Sequence, residues 1–72
     1  MLIFEFLYEQ ENEFVFSYFP EGNKNAPGKI AITAKGMGRV LEESEEDFGK
    51  WYAHHAIMGI DLNQKSGTVA WY

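Results

Sequence analysis

Hydrophobic and polar residues alternate at the two-residue period of a β-strand in the first part of the chain. In Leu2-Ile3-Phe4-Glu5-Phe6-Leu7-Tyr8, Phe4, Phe6 and Tyr8 share one face, while Ile3, Glu5 and Leu7 share the other. The polar stretch Glu9 to Glu13 follows. Phe14-Val15-Phe16-Ser17-Tyr18-Phe19 then repeats the pattern, with Phe14, Phe16 and Tyr18 together. Two aromatic strands joined by a short polar loop predict an antiparallel hairpin. Pro20 stops the second strand because it has no N–H to give to a ladder. The breaker-rich run Glu21 to Gly28 predicts a connecting loop. A third strand spans Lys29 to Lys35, with Ile30, Ile32 and Ala34 on one face. Gly36-Met37-Gly38 supplies a turn, and Arg39 to Glu43 a short fourth strand.

The period then changes. Ser44-Glu45-Glu46-Asp47 has the spacing of a helix cap, in which a hydroxyl satisfies an orphan N–H and acids complement the positive end of the helix dipole. Phe48, Trp51, Tyr52, His55, Met58 and Leu62 recur at helical spacing as an apolar stripe expected to form core against the sheet, and Ala53, Ala56, Ile57 and Ile60 widen it. These predict a helix over residues 45–58. Beyond it three paths stay open: Gly59 caps the helix, the helix continues towards Gln64, or residues 59–62 form a strand hairpinned to the last segment. Thr68 to Tyr72 is β-branched and aromatic, which places Trp71 and Tyr72 in the sheet or at an interface. The expected architecture is a single α+β domain over residues 1–72. A mainly antiparallel sheet of four to five strands is packed by one helix, in the order β-β-β-β-α-β.

Composition sharpens this picture. At 72 residues a domain has a marginal core, and with no cysteine it has neither disulfides nor a thiolate metal site to hold it. Aromatic residues make up 17 % of the chain, which excludes intrinsic disorder and supplies more ring surface than one small core needs. The net charge of −5, with six scattered lysines and arginines, argues against nucleic-acid binding, which depends on cations replacing phosphate counterions. The N-terminal apolar run lacks the basic flank of a signal peptide, and no stretch approaches the ~20 apolar residues of a membrane span. The expected location is cytoplasmic.

Candidate chemistry is sparse. His54 and His55 are adjacent, so on a helix they point about 100° apart and cannot share one metal ion. His55 reads as a core histidine and His54 as a solvated one; a histidine working with Asp61 or Glu46 at a subunit boundary is the remote alternative. The acids from Glu42 to Asp47 lack the alternation and the glycine of a calcium loop. Gly36-Met37-Gly38 leads into a strand rather than the helix N-terminus of a phosphate loop. None of the hydroxyl residues lies in a Gly-x-Ser-x-Gly elbow. No catalytic residue, metal ligand or cofactor is therefore expected, and the chain does not read as an enzyme.

One feature calls for a partner. A single helix covers one side of a sheet, so the other side is expected to expose Ile3, Leu7, Val15 and Phe19 as one apolar patch. With Trp71 and Tyr72, these are the candidate interaction residues. The expected function is a small interaction module that forms a homodimer through its sheet. Two alternatives stand beside it. One is an acidic inhibitor of a basic, nucleic-acid-binding protein; the other is a ligand- or metal-binding protein using His54 or His55 at an interface.

Overall fold

The computed structural model describes residues 1–70 and shows the expected α+β architecture. Five antiparallel strands form one sheet: β1 (Leu2–Gln10), β2 (Glu13–Pro20), β3 (Gly28–Thr33), β4 (Gly38–Glu42) and β5 (Ser66–Val69). A single turn of 3-10 helix (Phe48–Lys50) leads into the helix α1 (Trp51–Gly59) between β4 and β5. The strand order is β4-β3-β2-β1-β5. The first four strands are a meander; the helix then carries the chain from one edge of the sheet to the other, where β5 pairs with β1. Trp71 and Tyr72 lie outside the described residues.

The first hairpin is tighter than its polar composition suggests. Only Glu11 and Asn12 turn the chain, both at positive φ (49° and 68°), as the two-residue turn that matches strand twist requires. Leu7 is an extra residue in β1: Phe6 pairs with Phe16, but Tyr8 pairs with Val15. This bulge overturns the expectation that Phe4, Phe6 and Tyr8 share a face, because it moves Tyr8 to the side of Val15.

The helix-facing core consists of Leu2, Phe4, Phe16, Tyr18, Ile30 and Ile32 from the sheet, with Ala53 and Ala56 from α1. Phe4 and Phe6 both meet Phe16 edge-on, at centroid distances of 5.8 and 5.5 Å. Such ring pairs add about 0.5–1.5 kcal/mol beyond the area they bury. Bulky rings fill the sheet side, so the helix contributes its smallest side chains and sits close. The glycines follow the same logic. A Cβ on Gly38 would come within 2.5 Å of the Ile57 side chain, and one on Gly59 within 2.6 Å of Val69. Neither has positive φ, so Gly38 is a packing residue rather than a turn residue; the left-handed turn position belongs to Gly36 (φ 86°). Of the three paths open after Gly59, the helix stops there, with Ile60 extended and its N–H donated to Ala56.

The opposite side of the sheet corrects a central expectation. Val15 and Phe19 are buried and Ile3 is half-buried; of the four strand residues expected to be exposed, only Leu7 is, at 41 %. The strand register explains why no continuous patch forms. Cross-strand partners place Ser66, Glu5, Ser17, Lys29 and Glu42 in one polar row between Ile3–Phe19 and Tyr8–Val15–Ala31. Charged side chains reach over the apolar ones. The Lys24 ammonium lies 4.2 Å from the Phe19 ring centroid and pairs with Glu5 at 2.7 Å. Gly22 of the same loop packs its backbone near Ile3. Arg39 binds Glu13 through two bonds of 3.0 and 2.9 Å.

The Glu13–Arg39 pair makes this face sensitive to acid. The hydrogen bond from Arg39 outweighs the opposing effect of burial and, helped by the guanidinium charge, holds the Glu13 carboxyl below its ordinary value of 4.5. A carboxyl depressed in the folded state contributes stability above its unfolded pKa and loses it as pH falls through the folded value. Urea stability is therefore expected to decline below pH 4.5, and Glu13→Gln to make that decline shallower while changing the neutral baseline little. An unchanged acid slope in the variant would show that the pair plays no part.

Candidate functional site

The segment between β4 and α1 builds the most distinctive surface. Its anchor is Asp47, almost fully buried, whose carboxylate accepts three hydrogen bonds. Tyr18 Oη donates to Oδ2 at 2.7 Å, the Tyr52 backbone N–H to Oδ1 at 2.8 Å, and the Ala53 N–H to Oδ2 at 3.0 Å. Asp47 thus does for α1 what an N-cap does, satisfying two orphan N–H groups of the first turn and setting a negative charge against the positive end of the helix. It does so across a 3-10 turn, because Gly49 and Lys50 are both left-handed (φ 68° and 62°) and redirect the chain before the helix begins.

Ser44, expected to be the cap of a helix over 45–58, has a different task. The helix starts at Trp51, too far along the chain for Ser44 to reach its first turn. The Ser44 hydroxyl instead donates to the Ala26 carbonyl at 2.6 Å and accepts the Glu46 N–H at 3.1 Å, while the Ser44 N–H donates to Tyr18 Oη at 3.1 Å. One phenol therefore joins the sheet, the loop before β3 and the start of the helix. Burial pushes that phenol above its ordinary value of 10.0; the Asp47 hydrogen bond and charge reinforce the rise, and the Ser44 N–H opposes it. Tyr18 accordingly remains a donor. Gly28 completes the arrangement, since a Cβ there would clash with the Tyr18 ring.

With Ala53 and Ala56 fixed on the sheet, the helical period turns Trp51, His54 and Met58 away from it. Phe48 is 86 % exposed, Met58 74 % and Trp51 56 %. The Trp51 and His55 rings stack edge to face at 4.7 Å. This reverses the sequence expectation, in which Phe48, Trp51 and Met58 formed the core stripe. The helix is apolar nearly all round, so periodicity alone could not orient it. The pointer that was present in the sequence is the alanine pair at i, i+3: small residues fit against strands already filled by Phe4, Phe16 and Tyr18.

The other candidate residues are scattered. Ile3, Val15 and Phe19 lie in or beneath the opposite side of the sheet, Leu7 in the bulge of β1, and Trp71 and Tyr72 outside the described residues. His54 is exposed and its ring centroid is 6.2 Å from that of half-buried His55. Among the described residues, no group of three His, Asp or Glu side chains is placed to hold a metal ion. No helix among them is long and apolar enough to cross a membrane.

No family model, curated protein or solved structure matches this chain. The site is therefore read from its own geometry.

An open cleft of about 520 Å³ lies between Phe14, Ala34 and the segment Ile60 to Asn63. Its one acid, Asp61, already accepts the Asn63 N–H at 2.9 Å in a local turn. The cleft shows no converging polar groups of the kind that orient a small ligand.

The contrast between anchor and surface is measurable. Asp47→Ala leaves two buried donors and one part-buried donor without their acceptor and is expected to cost about 3 kcal/mol of unfolding free energy. Trp51→Ser, on the exposed side of the same helix, is expected to stay within about 0.5 kcal/mol of the parent. Urea unfolding of the two variants checks both figures; a large loss at Trp51 would mean that this ring belongs to the core.

Proposed function

We propose that this protein is an interaction module that works by binding another protein rather than by chemistry, and that it binds through the outer side of α1. The observation that carries this reading is the exposure of Phe48, Trp51 and Met58 together on one short segment. Single exposed apolar residues are ordinary, but a cluster of two aromatic rings and a methionine resembles the anchors of protein interfaces. Methionine suits such a surface because its flexible thioether adapts to a partner's shape. The rigid anchoring of α1 by Asp47 supports the same reading, since a fixed helix presents its side chains with little ordering cost on binding.

Homodimerisation through the sheet has less to work with. Val15 and Phe19 are already covered within one copy, and charged pairs lie over their side of the sheet. Edge-to-edge pairing through β4 is discouraged as well, because this edge strand carries a register bulge and the chain leaves it through Glu42 and Glu43. The candidate surface is accordingly the helix.

A photo-crosslinking phenylalanine placed at position 48 or 58, with position 35 in the β3–β4 turn as control, tests this in the cell that makes the protein. Discrete adducts are expected at 48 and 58 and not at 35. An adduct at twice the chain mass would identify a second copy as the partner. No adduct at 48 and 58, or equal labelling at all three positions, would remove the reading.

A further inference from the structure

Given that the outer side of α1 is a binding surface, its charge surroundings specify what it binds. We propose that its partner is a basic amphipathic protein segment, with an apolar strip that meets Phe48, Trp51 and Met58 and flanking lysines or arginines that meet the acids beside them. This inference rests on the preceding reading and adds the chemistry of the partner.

Acids surround the N-terminal end of the aromatic stripe. Glu43, Glu45 and Glu46 are exposed in the segment leading to Phe48, whereas Glu42 belongs to the polar row on the other side of the sheet. Glu21 reaches the same region from the loop after β2, accepting the Tyr52 hydroxyl at 2.7 Å, and Asn23 donates to Glu46 at 2.9 Å. The Tyr52 phenol registers this setting: its hydrogen bond to Glu21, then burial, then the charges of Glu21, Asp47 and Glu46 raise it above 10.0. Glu21 therefore lies against the first turn of α1, the same turn that carries the exposed Trp51. The helix itself carries no carboxylate from Trp51 to Gly59, so its outer side presents Trp51, His54 and Met58 with the acids gathered at its N-terminal end.

The balance of cations favours an external partner. Lys50 precedes α1 directly, but Lys24 and Arg39 are engaged by Glu5 and Glu13, Lys65 lies 4.1 Å above the Phe6 ring, and the Met1 ammonium is paired at 2.9 Å with Glu21 alone of these acids. The whole chain carries −5. A second copy would bring the same acids towards the same acids, and like charges across an interface oppose association. Size points the same way. A nine-residue helix about 13 Å long and about 11 Å wide presents a face of roughly 150 Å², well short of the roughly 800 Å² per partner that a standard stable interface buries. A contact of this size needs long-range charge attraction to reach useful affinity, and its strength should therefore depend on salt.

Calorimetry with three synthetic helical peptides tests the proposal on the full chain. The first has leucine on one face and lysine on the other. The second has the same composition in scrambled order. The third replaces lysine by glutamate. The patterned Leu–Lys peptide is expected to bind about tenfold more tightly than the scrambled one and to weaken by about tenfold between ~50 and ~300 mM salt. Phe48→Ser with Trp51→Ser, and separately Glu43→Lys with Glu45→Lys, are each expected to lose about tenfold in affinity. Near-ultraviolet circular dichroism verifies that both variants stay folded. Equal binding of patterned and scrambled peptides, equal binding of the Leu–Glu peptide, or no binding by any of them overturns the proposal. So does a dimer in sedimentation that the Phe48→Ser, Trp51→Ser variant abolishes, because a second copy then occupies the face. If the peptides fail while crosslinks at positions 48 and 58 persist, the basic partner is wrong and the binding surface stands.

Discussion

The structure depends on a buried carboxylate that replaces a covalent staple. A 72-residue chain without cysteine has few ways to join a helix firmly to a sheet. Here Asp47 ties the Tyr18 hydroxyl on β2 to two backbone N–H groups at the start of α1, and Ser44 ties the same hydroxyl to the loop before β3. A charge taken out of water is costly unless its acceptor capacity is used, and in this position it is used three times. The result is directional in a way that apolar packing is not. It fixes where α1 begins, how it is rotated, and which of its residues meet the sheet.

That rotation produces the exposed apolar surface. Once Ala53 and Ala56 lie on the ring-filled sheet, Trp51 and Met58 have to point outwards, and the left-handed pair Gly49–Lys50 places Phe48 outside as well. The same segment carries the acids from Glu42 to Glu46, so apolar anchors and negative charge arise side by side from one short stretch of sequence. The opposite side of the sheet is organised differently. Its apolar residues are interrupted by a polar row and covered by Lys24 and by the Arg39–Glu13 pair. Charges reaching over β-strands in this way are a common protection against unwanted association.

The architecture was largely legible because alternation is a local property. The aromatic alternation of β1 and β2, the breakers from Pro20 to Gly28 and the switch to helical spacing after Ser44 led to the observed α+β arrangement and strand sequence. Where reading failed, the deciding term was non-local. The Ser44-x-x-Asp47 pattern was a sound cap signal, but it marked the wrong partner: Tyr18 draws both residues inwards, and the helix begins later. Phe48, Trp51 and Met58 were assigned to the core because rings usually are. Within residues 48–62 only the small pair Ala53 and Ala56 marks the tight side; Phe4, Phe16 and Tyr18, which take the space, lie far away in the sequence.

By itself, then, the sequence determined the elements, their order and the surplus of apolar surface, since periodicity, breakers and composition act within a few residues. Tertiary structure decided which surface carries that surplus. One extra residue at Leu7 changed the face of Tyr8, strand register set Glu5, Ser17 and Lys29 between Phe19 and Val15, and the volume left above the sheet admitted two alanines and turned a tryptophan towards the solvent. Register and volume are properties of pairs of segments in contact, and neither exists until the chain has folded.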